Sequence, residues 1–478
     1  MNTPNSSIYW YDLETFGIDP KYFRIAQFAG IRTDLELNII DDPLVMYCKP
    51  SDDFLPDPYS CLVTGITPQI AQSKGSIEAE FIAKIHQEFS KPSTCVAGYN
   101  NIRFDDEFVR YTLYRNFFDP YQREWMHGNS RWDIIDMVRL TKALRPQGIQ
   151  WPVKEDGAPS YKLEDLTWAN HIQHESAHDA LSDVYATIAV ANLIKTRQPK
   201  LYEFVFQHKD KQSLLALLNV HVRKPVLHVS GMYPAERGCT AMVLPLALHP
   251  VNKNAIIVYD LNVDPADLLT LSSEEIQQRV FTAQDQLPEG VNRIPLKAVH
   301  VNKCPIVVPV NTLDDESAHR LGIDKARCLQ HANTLRDATD LSEKIATAFT
   351  PNGQDFNTDP DFSLYGGFFS DSDKQKMDII RSTPPEKLSS LAQTFQDRRL
   401  PEMLYRYRAR NYYETLSHEE KLQWQEFRGL RLNDPEMPMD LQRFNETLTA
   451  LETSADINAA QHSVIKQLTM YMADIKSD

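Results

Sequence analysis

The stretch Ile8-Tyr9-Trp10-Tyr11-Asp12-Leu13-Glu14-Thr15-Phe16-Gly17 decides how this chain is read. It opens on one β-branched and three aromatic residues, the composition of a buried strand. Side chains at i and i+2 on a strand share a face. Asp12 and Glu14 therefore project together from the strand's end, while Leu13 points the other way, into a core. Two carboxylates this close repel each other, and an all-oxygen pair suits a hard cation such as Mg²⁺ or Mn²⁺. Alone, an Asp-x-Glu pair is more often a solvated strand ending than a metal site.

The surrounding 200 residues alternate strand and helix patterns. Residues 25–31 and 44–48 read as further strands, and 94–98 as a short buried strand ending in Gly98. Residues 77–89 carry apolar side chains at helical spacing (Ile77, Phe81, Ile82, Ile85, Phe89), and 105–114 and 179–194 also read as helices. Such alternation predicts an α/β domain over residues 1–198. The texture changes after the charged, proline-bearing patch at 195–200. Short β-like runs at 226–229, 241–246, 256–259 and 306–308, separated by Pro and Gly, predict a small β-rich domain over 199–352. A second break at Asn352-Gly353 leads into an all-helical block over 355–478.

Composition bounds the function. With 50 Lys plus Arg against 65 Asp plus Glu, the net charge is −15, which excludes affinity from a uniformly basic surface. A nucleic-acid enzyme is still allowed, because charge along a groove decides binding. No run reaches the 18 or so apolar residues of a membrane span, and the polar residues 1–7 lack a secretory pattern. The six cysteines are dispersed without a Cys-x-x-Cys pair, so reduced thiols in a cytoplasmic protein are expected.

Two more patterns turn the Asp-x-Glu pair into a constellation. Asn101-Ile102-Arg103-Phe104-Asp105 follows the strand that ends at Gly98, and His178-Asp179-Ala180-Leu181-Ser182-Asp183 opens the helix beyond it. The order D-x-E, N-x-x-F-D, H-x-A-x-x-D resembles the DEDDh 3′–5′ exonuclease superfamily. Within it, residues 11–17, 98–107, 116–121, 129–133, 143–146 and 183–187 resemble the bacterial exodeoxyribonuclease I family. So do His228-Val229-Ser230-Gly231-Met232, 300–305 and 407–411, so the resemblance spans the chain.

The resemblance implies an RNase H-like exonuclease domain, an SH3-like domain and a helical C-terminal domain around single-stranded DNA. It implies two divalent ions, Mg²⁺ with Mn²⁺ as a substitute, held by Asp12, Glu14, Asp105 and Asp183, with His178 as general base. Ions about 4 Å apart stabilise both the attacking and the leaving oxygen of a phosphodiester, and a neutral His takes a proton near pH 7. The implied activity is processive 3′→5′ release of 5′-mononucleotides from single-stranded DNA, in repair and recombination. A ribonuclease of the same superfamily and a non-catalytic binding module are the alternatives. The first is usually a short single domain, and the second usually lacks a carboxylate.

Binding residues follow from position and type. Glu14, Thr15, Phe16 and Lys162 are candidates for substrate binding at the 3′-terminal nucleotide, with packing as the other role of Thr15 and Phe16. Arg110, Tyr121, Trp125 and Arg139 flank the motifs and are candidates for phosphate contact and base stacking. Arg406, Arg408 and Arg410 interleave with Tyr405, Tyr407, Tyr412 and Tyr413. This reads equally as a DNA-binding lane, with Arg408 and Arg410 in it, or as arginines pairing with Asp397, Glu402 and Glu414 across turns. The family also implies a site for the acidic, Phe-ended tail of single-stranded DNA-binding protein, with Lys224, Arg237 and Arg320 as candidates, and a monomer.

Overall fold

The structure is a computed structural model that describes residues 6–174, 179–351, 359–454 and 457–477. These fall into two compact units. The first lies within Met1–Ser130, Glu175–Tyr185 and Asp355–Asp478, the second within Arg131–His174 and Ala186–Gln354.

The first unit is built on strands β1 (Ser7–Thr15), β2 (Ile25–Thr33), β3 (Leu44–Tyr47) and β4 (Thr94–Gly98), in the order β3-β2-β1-β4. β1 runs antiparallel to β2, which is antiparallel to β3, and parallel to β4. β1 is longer than its apolar run suggests, because it continues through Asp12 and Glu14, which pair with Ala29 and Gln27. A register shift between Glu14 and Thr15 ends the regular pairing. Gly98 has a local reason: a Cβ there would stand 2.7 Å from the Tyr11 carbonyl oxygen.

One face of β1 is core. Tyr9 and Tyr11 pack on Phe28 and Phe89, with ring centroids 4.9–6.4 Å apart. The helix Glu78–Phe89 adds Phe81, Ile82 and Ile85 to this core. Phe444, Leu448, Ile465 and Leu468, from the helices Leu441–Glu452 and Ala459–Ser477, join the same cluster. The C-terminal helices therefore share the sheet's core, beside a small cluster of their own around Leu416 and Trp424. An apolar helix stripe shows that a partner exists, not which partner it is.

A buried ion cluster ties the same parts together. Asp53 and Asp361 are almost fully buried. Arg410 Nη2 meets Asp53 at 2.8 Å and Asp361 at 2.5 Å, and Arg406 and Arg431 reach Asp361 at 2.8 and 3.0 Å. Arg410 and Arg406 lie on the helix Leu400–Asn411, and Arg431 on the helix His418–Leu432. The guanidinium groups outweigh burial and hold both carboxyls well below the usual carboxylate range.

After β5 (Ser130–Asp133), the second unit carries a five-stranded sheet in the order β10-β6-β7-β8-β9. Its strands are β6 (Val226–Val229), β7 (Thr240–Leu248), β8 (Ala255–Asp260), β9 (Leu296–His300) and β10 (Ile306–Pro309), all paired antiparallel. Val226, Val243, Ile256, Val299 and Val307 form its core with Leu214 and Leu218. β9 was not expected from sequence: it is an edge strand in which only Leu296 and Val299 are buried. All six cysteines are free thiols, and among the described residues no helix is long and apolar enough to cross a membrane.

Removing one partner of a buried ion cluster strands the others without compensation. Asp361→Ala is expected to cost about 3–5 kcal/mol of stability, read from urea unfolding. A loss below about 1 kcal/mol, the range of a surface pair, would show that the cluster does not hold the helices.

Candidate active site

β1 delivers the first two acids. With Tyr11 and Leu13 turned into the core, Asp12 and Glu14 face the opposite side. Asp183 comes from the first turn of the helix Ala180–Arg197. Carboxylate oxygens of Asp12, Glu14 and Asp183 lie within 4.8 Å of one another. Asp105, in the first turn of the helix Asp105–Arg115, is buried, and after burial itself its charge acts most strongly on Asp12. His178 lies outside the described residues.

The neighbouring Asp106 has a different task. It is fully buried and accepts hydrogen bonds from the Tyr11 hydroxyl at 2.7 Å and Arg123 Nη2 at 2.6 Å. Tyr11 immediately precedes Asp12, so this bond pins the start of the Asp105–Arg115 helix to the strand that carries the acids. Sequence reasoning missed Arg123, whose segment has no distinguishing pattern. It also attached no role to Asn101, whose fully buried side-chain amide has no hydrogen-bond partner among the described residues.

Electrostatics at the cluster are unfavourable without a cation. Burial, and then the charges of Asp12, Asp183 and Asp179, push Glu14 up to about 9. Burial, then Asp105 and Asp183, also push Asp12 well above the usual carboxylate range. An oxygen-only, partly buried cluster under mutual repulsion fits a divalent cation, which compensates the desolvated charge. The exposed Asp179 adds to the same field.

Three family models account for most of the chain: an exonuclease over residues 9–191, an exonuclease I SH3-like domain over 209–351 and an exonuclease I C-terminal domain over 358–475. Exodeoxyribonuclease I of Haemophilus influenzae is 47% identical over 467 residues, covering 97% of this chain and 98% of the relative. The chain belongs to the exodeoxyribonuclease I family. Two solved structures of exonuclease I superpose over 98% of this chain. That of Methylocaldum szegediense has a TM-score of 0.95 at 51% identity and is covered over 99%. That of Escherichia coli in complex with a dA16 oligonucleotide has a TM-score of 0.95 at 46% identity and is covered over 100%. The family resemblance carried by the motifs thus extends over the whole chain, and its exonuclease, SH3-like and helical parts are all present.

Among the other residues expected in an exodeoxyribonuclease I site, several are engaged inside the protein. Arg110 is buried, pairing with Glu107 and Glu124 at 2.8 Å. Arg408 pairs with Glu420 at 2.5 Å, and Arg410 belongs to the buried aspartate cluster. The charges of these three are met by carboxylates within the protein. Of the two readings of the tyrosine–arginine segment, internal pairing is the one it takes: Arg399 meets Asp397 and Arg406 meets Glu402, each at 2.8 Å. Phe16 is 1% exposed and packs against Phe54. Thr15 is buried, its hydroxyl donating to the Gly17 carbonyl at 2.7 Å.

Tyr121 is half-buried, its ring 5.2 Å from the Arg110 guanidinium and 5.9 Å from Phe368. Trp125 and Phe368 are 64% and 84% exposed. In the second unit Lys162 and Lys224 are exposed. Arg139 is held by Asp136 at 2.6 Å and Arg237 by Asp260 at 3.0 Å. Arg320 donates to the Ala143 carbonyl at 2.8 Å and is partly exposed.

A ligand that binds only the folded state stabilises it, by about 2.7 kcal/mol at 100 times Kd. Mg²⁺ is therefore expected to raise the Tm of the wild-type chain. Asp12→Asn removes one charge from a repelling cluster, so it should raise the metal-free Tm while abolishing the Mg²⁺-induced rise. A lowered metal-free Tm together with an intact Mg²⁺ response would contradict the cation assignment; differential scanning calorimetry reads both.

Proposed function

We propose that this chain hydrolyses single-stranded DNA processively from its 3′ end, releasing 5′-mononucleotides, in cytoplasmic DNA repair and recombination. The observation that carries this reading is the convergence of Asp12, Glu14 and Asp183 on one cation-sized locus in an exodeoxyribonuclease I chain. The dA16 complex of the Escherichia coli relative supports single-stranded DNA as the substrate.

Asp12, Glu14, Asp105 and Asp183 hold two divalent ions, Mg²⁺ or in its place Mn²⁺. Once bound, these supply charge stabilisation to the attacking and leaving oxygens of the phosphodiester. His178 takes the proton from the attacking water. The Tyr11–Asp106–Arg123 bonds hold the strand and helix that present Asp12 and Asp105. Exposed Trp125, and Tyr121 with its neighbour Phe368, stack bases without sequence preference. Lys162 contacts a phosphate as a point charge. Lys224 and Arg320 receive the acidic tail of single-stranded DNA-binding protein, and the chain acts as a monomer.

The test compares 5′-labelled single-stranded DNA, duplex DNA and single-stranded RNA, each with Mg²⁺ and with EDTA. Mg²⁺-dependent 3′ shortening of single-stranded DNA alone is expected. Preferential shortening of RNA would move the chain to the ribonucleases, and no shortening of any substrate would leave a binding module. Asp183→Ala should cut turnover by orders of magnitude while the fold persists; activity within a few-fold of wild type would remove Asp183 from the ligand set. His178→Ala should lose more at pH 7 than at pH 9, where hydroxide partly replaces the base. A loss of equal size at both pH values would assign His178 to positioning.

A further inference from the structure

The second unit carries an open cavity of about 500 Å³, on residues the acid cluster does not use. The helix Ile134–Leu144 supplies Lys142 to it. Val153, Asp156 and Tyr161 come from the loop that follows, and Glu236 and Leu321 close it.

Lys142 is half-buried. Its ammonium stands 5.9 Å from the centre of the Trp151 ring and 5.8 Å from that of Tyr161. It makes no ion pair among the described residues, for the two acids of the cavity, Asp156 and Glu236, are exposed and stay apart from it. Burial pulls its pKa below the usual lysine value, since ring faces return only part of the lost hydration. Arg320, on the same cavity, is already engaged: it donates to the Ala143 carbonyl at 2.8 Å and to the Ser317 hydroxyl at 3.0 Å. Val153 is 64% exposed, so the wall still has apolar surface to cover with a ligand.

A partly desolvated, unpaired cation beside open apolar surface suits a ligand that is anionic at one point and apolar next to it. A nucleotide unit of a single strand has that make-up: one phosphate charge, then a sugar and a flat base. An acidic peptide tail fits less well, because it sets several carboxylates against Asp156 and Glu236, which repel each of them. Tyr161 is followed directly by Lys162, already read as a phosphate contact, so the cavity adjoins that point of the chain. We propose that Lys142 is a further DNA-binding residue, holding one backbone phosphate of the single strand while the adjoining nucleoside lies against Val153 and Leu321. This rests on single-stranded DNA being the substrate.

Fluorescence anisotropy of 5′-labelled oligothymidylate and oligodeoxyadenylate, titrated with the full chain in EDTA over a range of NaCl concentrations, tests it. On a single strand, each phosphate contact contributes about 0.7 to the slope of log K against log salt. Lys142→Gln is expected to weaken binding several-fold, equally for both sequences, and to flatten that slope by about 0.7. Lys142→Arg keeps the charge and should retain the slope. Glu236→Gln removes a repelling carboxylate from the exposed rim and should tighten binding; an unchanged affinity there decides against the proposal if Lys142→Gln fails to fold. Wild-type affinity and slope in a folded Lys142→Gln would overturn the proposal and leave the substrate reading intact. Failure of the wild-type chain to bind either oligonucleotide would overturn both. Loss in Lys142→Gln of binding to a labelled acidic, Phe-ended peptide, with DNA binding unchanged, would give the cavity to the peptide and overturn the proposal as well.

Discussion

The repulsion among Asp12, Glu14 and Asp183 is the constraint around which the first unit is organised. Their oxygens are confined within 4.8 Å in a partly buried setting, an arrangement that costs stability until a cation offsets it. Such a cluster persists only if its elements cannot spread apart. Two of these elements, β1 and the Asp105–Arg115 helix, are anchored by contacts that leave the acids free. β1 is locked by pairing on both edges and by the aromatic packing of Tyr9 and Tyr11. The Asp105–Arg115 helix is held to β1 through Asp106, Tyr11 and Arg123. Strand alternation lets adjacent residues serve opposite ends: Tyr11 and Leu13 stabilise, Asp12 and Glu14 act.

The C-terminal helices belong to the same scheme. They complete the core behind the sheet with Phe444, Leu448 and Leu468, and they contribute the arginines that neutralise Asp53 and Asp361. In this acidic chain the positive charge of the tyrosine–arginine segment is spent on internal structure. The exposed groups of the first unit include the aromatic side chains of Trp125 and Phe368, and aromatic faces stack bases regardless of sequence.

Much of this was legible in the sequence where the signal is local. The strands β1, β2 and β4 and most of the second sheet come from short apolar runs, and the acid pair comes from the i, i+2 rule. β9 was invisible because an edge strand buries too few residues to give a run. The roles of Arg408 and Arg410 were undecidable because the partner of Arg410, Asp53, stands 357 positions away in the chain. The place of Phe16 beside Glu14 did not reveal its packing. The register shift after Glu14 and the packing on Phe54 put it in the core. Asp106 was separable from Asp105 only once Tyr11 and Arg123 were seen to claim it.

The central claim is that the end of β1 is a cation-binding centre for a DNA 3′ end. Anomalous diffraction from crystals soaked in Mn²⁺ with a short oligothymidylate tests it most directly. The account predicts an anomalous peak ligated by the carboxylates of Asp12, Glu14 and Asp183, with the strand's 3′-terminal phosphodiester beside it. A peak held elsewhere, or a 3′ end bound away from these acids, would contradict it.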